Sequence, residues 1–306
     1  MREQSFHFPS YSALAEIVGL RLFPDVQQDV KGVVQITHGM AEHKERYLPF
    51  MKRLVGAGYA VYIMDLLGHG ASVTDPDMLG YFGPDGEEAL IQDICRLSGR
   101  VRQDFPNKPL FLFGHSMGSF LTRIVNARDE VPAQGAVYCG TGGRNPLAGT
   151  AVFLAGLICA LGRGKKPGVF LNALAFSAYN KRTDRRTPFD WLSYNRRNVD
   201  SYLKDPLCGF LFKNLAFLSL SKIIAEAQSA ASIRRIPRDL PILLIAGQDD
   251  PVGQYGKGVE ALQRELLQTG HAAELKLYSG MRHEILQEDA ASHAMQDVID
   301  WLDRQI

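Results

Sequence analysis

A surplus of charge of either sign is missing from this 306-residue chain: 34 Lys and Arg stand against 33 Asp and Glu, a net charge of +1. Without a long-range field, a nucleic-acid partner has no electrostatic support. Cysteine is scarce. Cys95, Cys139, Cys159 and Cys208 form neither a C-x-x-C pair nor a metal-ligand spacing, which leaves reduced, mostly buried thiols as the expectation. Long apolar runs are absent too. The longest, Ala148 to Leu161, falls short of the roughly 20 residues that cross a bilayer, although it is apolar enough to touch a membrane or lipid surface. Met1 to Pro9 carries Glu3 and His7 where a secretory signal has a basic start and an unbroken apolar core, so the expected location is cytoplasmic. Internal repeats and low-complexity tracts are also lacking. With 46% hydrophobic and 22% charged residues, the chain has the composition of a globular protein with a sizeable core.

What is present is alternation. Lys31 to His38, Tyr59 to Asp65 and Pro109 to Gly114 are β-branched or apolar on both faces, as buried parallel strands are. Between them Arg46 to Gly56 and Gly86 to Phe105 repeat apolar residues at helical spacing. The pattern continues through strands at Gly135 to Cys139, Pro241 to Ala246 and Ala273 to Tyr278, with helices at Ser119 to Arg128, Val259 to Thr269 and Ala291 to Arg304. An early hairpin, Ser5 to Phe8 with Glu16 to Leu22, adds an antiparallel edge. The expected fold is α/β: a mostly parallel sheet of about eight strands with helices on both faces. Residues 142–235 break the alternation with helical pieces (Ala151 to Leu161, Val169 to Ala178, Phe210 to Ala230) and no convincing strand. They read as a helical cap inserted into a core of residues 1–141 and 236–306.

Chemistry concentrates at Gly114-His115-Ser116-Met117-Gly118, a G-x-S-x-G sequence directly after an apolar strand and before a helical run. That context makes it a nucleophile elbow of the α/β-hydrolase fold, with Ser116 on the strained turn. A serine hydroxyl is a weak nucleophile near neutral pH and needs a histidine to take its proton and an acid to orient the imidazole. After an elbow the chain order is Ser, acid, His. His283 follows the last strand across a short turn and fits; His271 lies at that strand's wrong end, and His293 begins a helix. For the acid, Gly247-Gln248-Asp249-Asp250-Pro251 follows a strand. The usual spacing after the glycine selects Asp250, with Asp249 as its competitor. The oxyanion requires backbone donors, for which the amides of Met117 and Met40 are candidates. This chemistry calls for no metal and no cofactor.

His38-Gly39-Met40-Ala41-Glu42-His43 with Arg46-Tyr47, Asp65 with Gly68-His69-Gly70 and Ser72, the GHSMG elbow, and His283-Glu284-Ile285-Leu286 with Glu288 together resemble the monoacylglycerol lipase and lysophospholipase branch of the α/β hydrolases, a branch that includes serine aminopeptidase-like enzymes. The resemblance covers nearly all of the chain outside the cap. It departs at Ser119, where many relatives have glycine, and at Leu67, where arginine is common. It implies a carboxylic ester hydrolase acting through an acyl-enzyme on a small acyl ester, an acylglycerol or lysophospholipid. It also puts Glu42, Arg46 and His115 on the substrate side and makes Asp65 and His69 a turn that holds the oxyanion loop. An amidase or aminopeptidase-like hydrolase, or an acyltransferase, would use the same triad. A ligand-binding homologue without turnover is the reading from another class. Oligomeric state is not legible here.

Overall fold

The computed structural model describes residues 1–25 and 30–306. Its strands are β1 (Arg2–Pro9), β2 (Glu16–Phe23), β3 (Gly32–Thr37), β4 (Tyr59–Met64), β5 (Leu110–His115), β6 (Gly135–Cys139), β7 (Ile242–Gly247) and β8 (Ala273–Tyr278). They form one sheet in the order β1-β2-β4-β3-β5-β6-β7-β8. β2 runs antiparallel to β1 and β4, and every pair from β4 to β8 is parallel. The all-buried patterns of β3, β4, β5, β6 and β7 are what strands covered on both faces require.

Three helices precede β6: α1 (Leu48–Gly56), α2 (Gly86–Asp104) and α3 (Met117–Arg128). Between β6 and β7 run α4 (Ala148–Ile158), α5 (Val169–Phe176), α6 (Arg196–Lys204), α7 (Asn214–Ala227) and α8 (Ala230–Arg235); α9 (Lys257–Gln268) and α10 (Ala291–Asp303) complete the chain. One sheet face packs against α1 and α10 through Phe50, Phe111, Phe113 and Trp301. The other packs against α2, α3 and α9, with alternate strand residues such as Val33, Leu112 and Leu244.

The segment between β6 and β7 contains no strand, only a single bridge between Pro167 and Lys213. The helix expected over Phe210 to Ala230 is shorter, α7 alone, ending at Ala227, and α8 starts afresh at Ala230. Ser229 separates the two because its side chain accepts from the Ser232 amide and caps α8. The α6 helix was not foreseen. Asn195 caps it, but only Val199 and Tyr202 are buried, too few to mark a stripe. The α4 helix widens into a π turn at Cys159–Arg163. Its Phe153 and Leu161, with Val169 and Phe170 of α5, remain well exposed.

Candidate active site

The chain leaves β3 toward β4 on one side and reaches β5 on the other. The carboxyl ends of β3 and β5 therefore flank a topological switch point, where open parallel sheets leave a crevice. The loop after β3 carries Gly39 and Met40, and the turn after β5 carries Ser116.

Ser116 has φ 53 and ψ −120, a conformation few non-glycine residues adopt. Its amide donates to Cys139 O at 2.9 Å. The turn is possible because its flanks lack side chains: a Cβ on Gly114 would stand 2.4 Å from Gly118 O, and one on Gly118 only 2.1 Å from Thr37 O. Met117 follows at the first turn of α3, with its amide beside Ser116.

Behind the turn, His283 Nδ1 lies 2.9 Å from Asp250 Oδ2, with both side chains almost fully buried. Asp250 Oδ1 accepts from the Val252 amide at 2.8 Å. Burial disfavours the His283 imidazolium, but the Asp250 charge outweighs it and leaves the pKa above the ordinary histidine value of 6.5. Asp249 points elsewhere and accepts from Tyr194 Oη at 3.1 Å. His271 is bound between Ile236 O and Thr269 Oγ1, and His293 lies on α10. His115 packs beside His283 with ring centroids 4.8 Å apart. Burial and the neighbouring His283 push its pKa well below the ordinary histidine value.

The loop bearing Met40 is held from several sides. Glu42 Oε1 accepts from the Gly39 amide at 2.6 Å and from Tyr47 Oη at 2.9 Å. The Ala41 amide donates to His69 Nε2 at 3.2 Å, and Leu66 N donates to His38 Nε2 at 2.9 Å. Asp65 accepts from the Lys44 amide and from Lys44 Nζ, at 2.8 and 2.6 Å. The bonds of Ala41, His38 and Lys44 tie the loop to the Asp65–Ser72 turn, and the Met40 side chain packs against the apolar cluster that includes Met117 and Phe120.

Ser116, His283, Met40, Met117, Glu42 and His115 all line one cavity of about 520 Å³, open to the surface. Arg46 does not line it. Its guanidinium lies behind, donating to Glu284 Oε2 (2.8 Å) and Asn198 Oδ1 (3.0 Å) and covering the Tyr202 ring at 4.8 Å. Phe120, Phe176, Trp191, Phe210, Leu220 and Ile224 make most of the cavity apolar. All but Phe120 come from residues 142–235, and sequence reasoning named none of them individually. Their only signal was the apolar character of the helical pieces.

Several known proteins are similar to this chain. Monoacylglycerol lipase of Mycolicibacterium smegmatis is 28% identical over 298 residues, 96% of each chain. Monoglyceride lipase of Mus musculus is 26% identical over 284 residues, 90% of this chain and 84% of that one. The crystal structure of a highly thermostable carboxyl esterase from Bacillus coagulans, in complex with glycerol, superposes with a TM-score of 0.94 at 30% identity, over 99% of this chain and 98% of that one. The family model described as serine aminopeptidase, S33 (Hydrolase_4), matches residues 28–290. With an elbow at a switch point of an α/β-hydrolase sheet and a family match over most of its length, the chain belongs to the serine aminopeptidase S33 family of α/β hydrolases.

Proposed function

We propose that this protein is a serine ester hydrolase of the monoacylglycerol lipase type, with Ser116, Asp250 and His283 as its triad. The observation that carries the reading is the convergence of Ser116 and His283 on one largely apolar cavity, with a buried Asp250 held on His283 Nδ1. The lipase and carboxyl esterase names of its relatives support the same chemistry.

In the acylation step His283 Nε2 takes the Ser116 hydroxyl proton as Oγ attacks the ester carbonyl. The amides of Met40 and Met117 hold the oxyanion, each worth about 3 kcal/mol of transition-state stabilisation. Collapse expels the glyceryl alkoxide, which takes the proton from His283. Water then gives its proton to His283, its oxygen attacks the acyl-enzyme, and the fatty acid leaves as Ser116 recovers its hydrogen. Asp250 keeps the imidazole in the tautomer whose Nε2 can accept a proton. The apolar wall from residues 142–235 holds the acyl chain, while Glu42 and His115 supply polar surface near the leaving alcohol.

Residues 142–235 serve as a cap in this reading, and the exposed Phe153, Leu161, Val169 and Phe170 support contact with a lipid surface that presents the substrate. No helix among the described residues is long and apolar enough to cross a membrane. A panel of monoacylglycerols, p-nitrophenyl esters and aminoacyl amides, run with fluorophosphonate labelling, tests the proposal. We expect label on wild type and none on Ser116→Ala, with turnover of the esters. Equal labelling of the two proteins, or a preference for the amides, refutes it.

A further inference from the structure

The loop that carries His283 is fastened to residues 190–195 by a carboxylate with no cation of its own. Glu288 is buried and, among the described residues, forms no ion pair. It accepts from the Arg282 amide (2.9 Å), Ser193 Oγ (2.7 Å), and the amides of Tyr194 (3.0 Å) and Asn195 (3.1 Å). A buried charge is tolerated when its lone pairs are filled, and these four donors fill them. All four come from two places, the residue before His283 and the turn after Trp191.

Arg282 closes the same seam from the opposite direction. Its Nη1 donates to Asp190 O at 2.7 Å and Ser193 O at 3.3 Å, and the guanidinium lies 3.8 Å over the Tyr194 ring. The Glu284 amide donates to Leu192 O at 2.8 Å. Trp191, in the middle of the stitched segment, stands against His283 with ring centroids 5.1 Å apart. Tyr179 and Phe176 back it at 5.0 and 6.2 Å. His283 is therefore flanked by Trp191 and His115.

One hydrogen bond, from Nδ1 to Asp250, fixes a single direction of an imidazole. The ring can still rock about that line and swing Nε2 away from Ser116. Neighbouring rings remove this freedom. Building on the proposed role of His283 as base, we infer that Glu288 and Arg282 are positioning residues that hold Trp191 against His283 and so set the direction of its Nε2. Glu288→Gln removes one acceptor oxygen and sets an NH₂ among N–H donors, so the seam loosens although the size is kept.

The chain has two tryptophans, Trp191 and Trp301, so the emission lost in Trp191→Phe reports Trp191 alone. Protonated imidazole quenches a neighbouring indole, so wild-type Trp191 emission should fall as pH is lowered through the His283 titration. In Glu288→Gln this pH-dependent quench should shrink by at least about half, and kcat per fluorophosphonate-titrated site should drop about tenfold or more, because small misplacements of a general base are costly. Ser193→Ala, which removes one donor, should fall between. It carries the test if Glu288→Gln does not fold, with Arg282→Lys as a second check. Full quench with unchanged kcat, or lost kcat with full quench, overturns the proposal. A wild type that takes no label would instead sink the serine-hydrolase reading, because the fluorescence titration does not depend on Ser116.

Discussion

Replacing Asp250 by asparagine should cost far more than its small chemical change suggests, for a reason visible in the hydrogen bonds. Asp250 is fully buried and uses its two oxygens differently: Oδ1 accepts from the Val252 amide, and Oδ2 faces His283 Nδ1. In Asp250→Asn the oxygen must stay on the Val252 side, because an NH₂ there would oppose an N–H. The new NH₂ then faces His283 and turns Nδ1 into an acceptor, which places the ring proton on Nε2. An imidazole protonated at Nε2 cannot take the proton of Ser116. Loss of the correct tautomer in a serine triad lowers kcat about 10⁴-fold, equivalent to about 5 kcal/mol. Asp249→Asn is the matched control. It disturbs only the bond from Tyr194 Oη, and should change kcat no more than about threefold, as expected for a partly exposed hydrogen bond. Initial rates on a p-nitrophenyl ester and a monoacylglycerol, corrected for folded protein by circular dichroism, measure both. If Asp250→Asn stays within about tenfold of wild type, or Asp249→Asn proves the more damaging, Asp250 is not the orienting acid.

The pH dependence of kcat/KM should show an acidic limb with its midpoint above 6.5, because the proposed base His283 acts in its neutral form and its pKa is raised; a midpoint below 6.5 contradicts the ion pair with Asp250. Narrowing the cavity with Leu220→Trp or Ile224→Trp should shift preference to shorter acyl chains, with about fourfold lost per excluded methylene at ~0.8 kcal/mol each, and a chain-length series reads the shift directly. Arg123 is fully buried and ties Gly142 O, ahead of α4, to Ala227 O, at the end of α7. Arg123→Met should lower unfolding free energy by about 3 kcal/mol in urea titration, through two carbonyls left without partners. His43 stands between Glu45 and Asp205. Burial opposes its charge, but Cys208, Glu45 and Asp205 together raise its pKa from 6.5 to about 11. The folded-state pKa is the higher one, so this stabilisation is complete below pH 6.5 and lost as pH rises through about 11. His43→Gln should therefore be less stable than wild type at neutral pH and show a shallower loss of Tm toward high pH.

The central strands were legible because parallel strands covered on both faces are apolar along most of their length, as Tyr59–Met64 and residues 110–114 are. The elbow was legible because a nucleophile on so tight a turn needs Gly114 and Gly118 at fixed spacing. The α6 helix and the break at Ser229 were not, since they depend on caps and on a few buried contacts instead of a continuous stripe. Glu42 and Arg46, four residues apart in the sequence motif, are ion-paired in the structure, with Arg46 Nε 3.6 Å from Glu42 Oε2, yet only Glu42 lines the cavity while the Arg46 guanidinium turns back to Glu284.

Local order along the chain determines the strand and helix succession, the position of Ser116, and the order in which an acid and a histidine follow it, because each depends on residues within one turn or strand. The meeting of Asp250 with His283, the stacking of Trp191 on His283 and the shape of the cavity were decided only by tertiary structure. Each brings together residues tens to more than a hundred positions apart, and no periodicity records which side chain will meet which. The G-x-S-x-G turn places the serine, but the packing of residues 142–235 against the sheet determines the space in front of it.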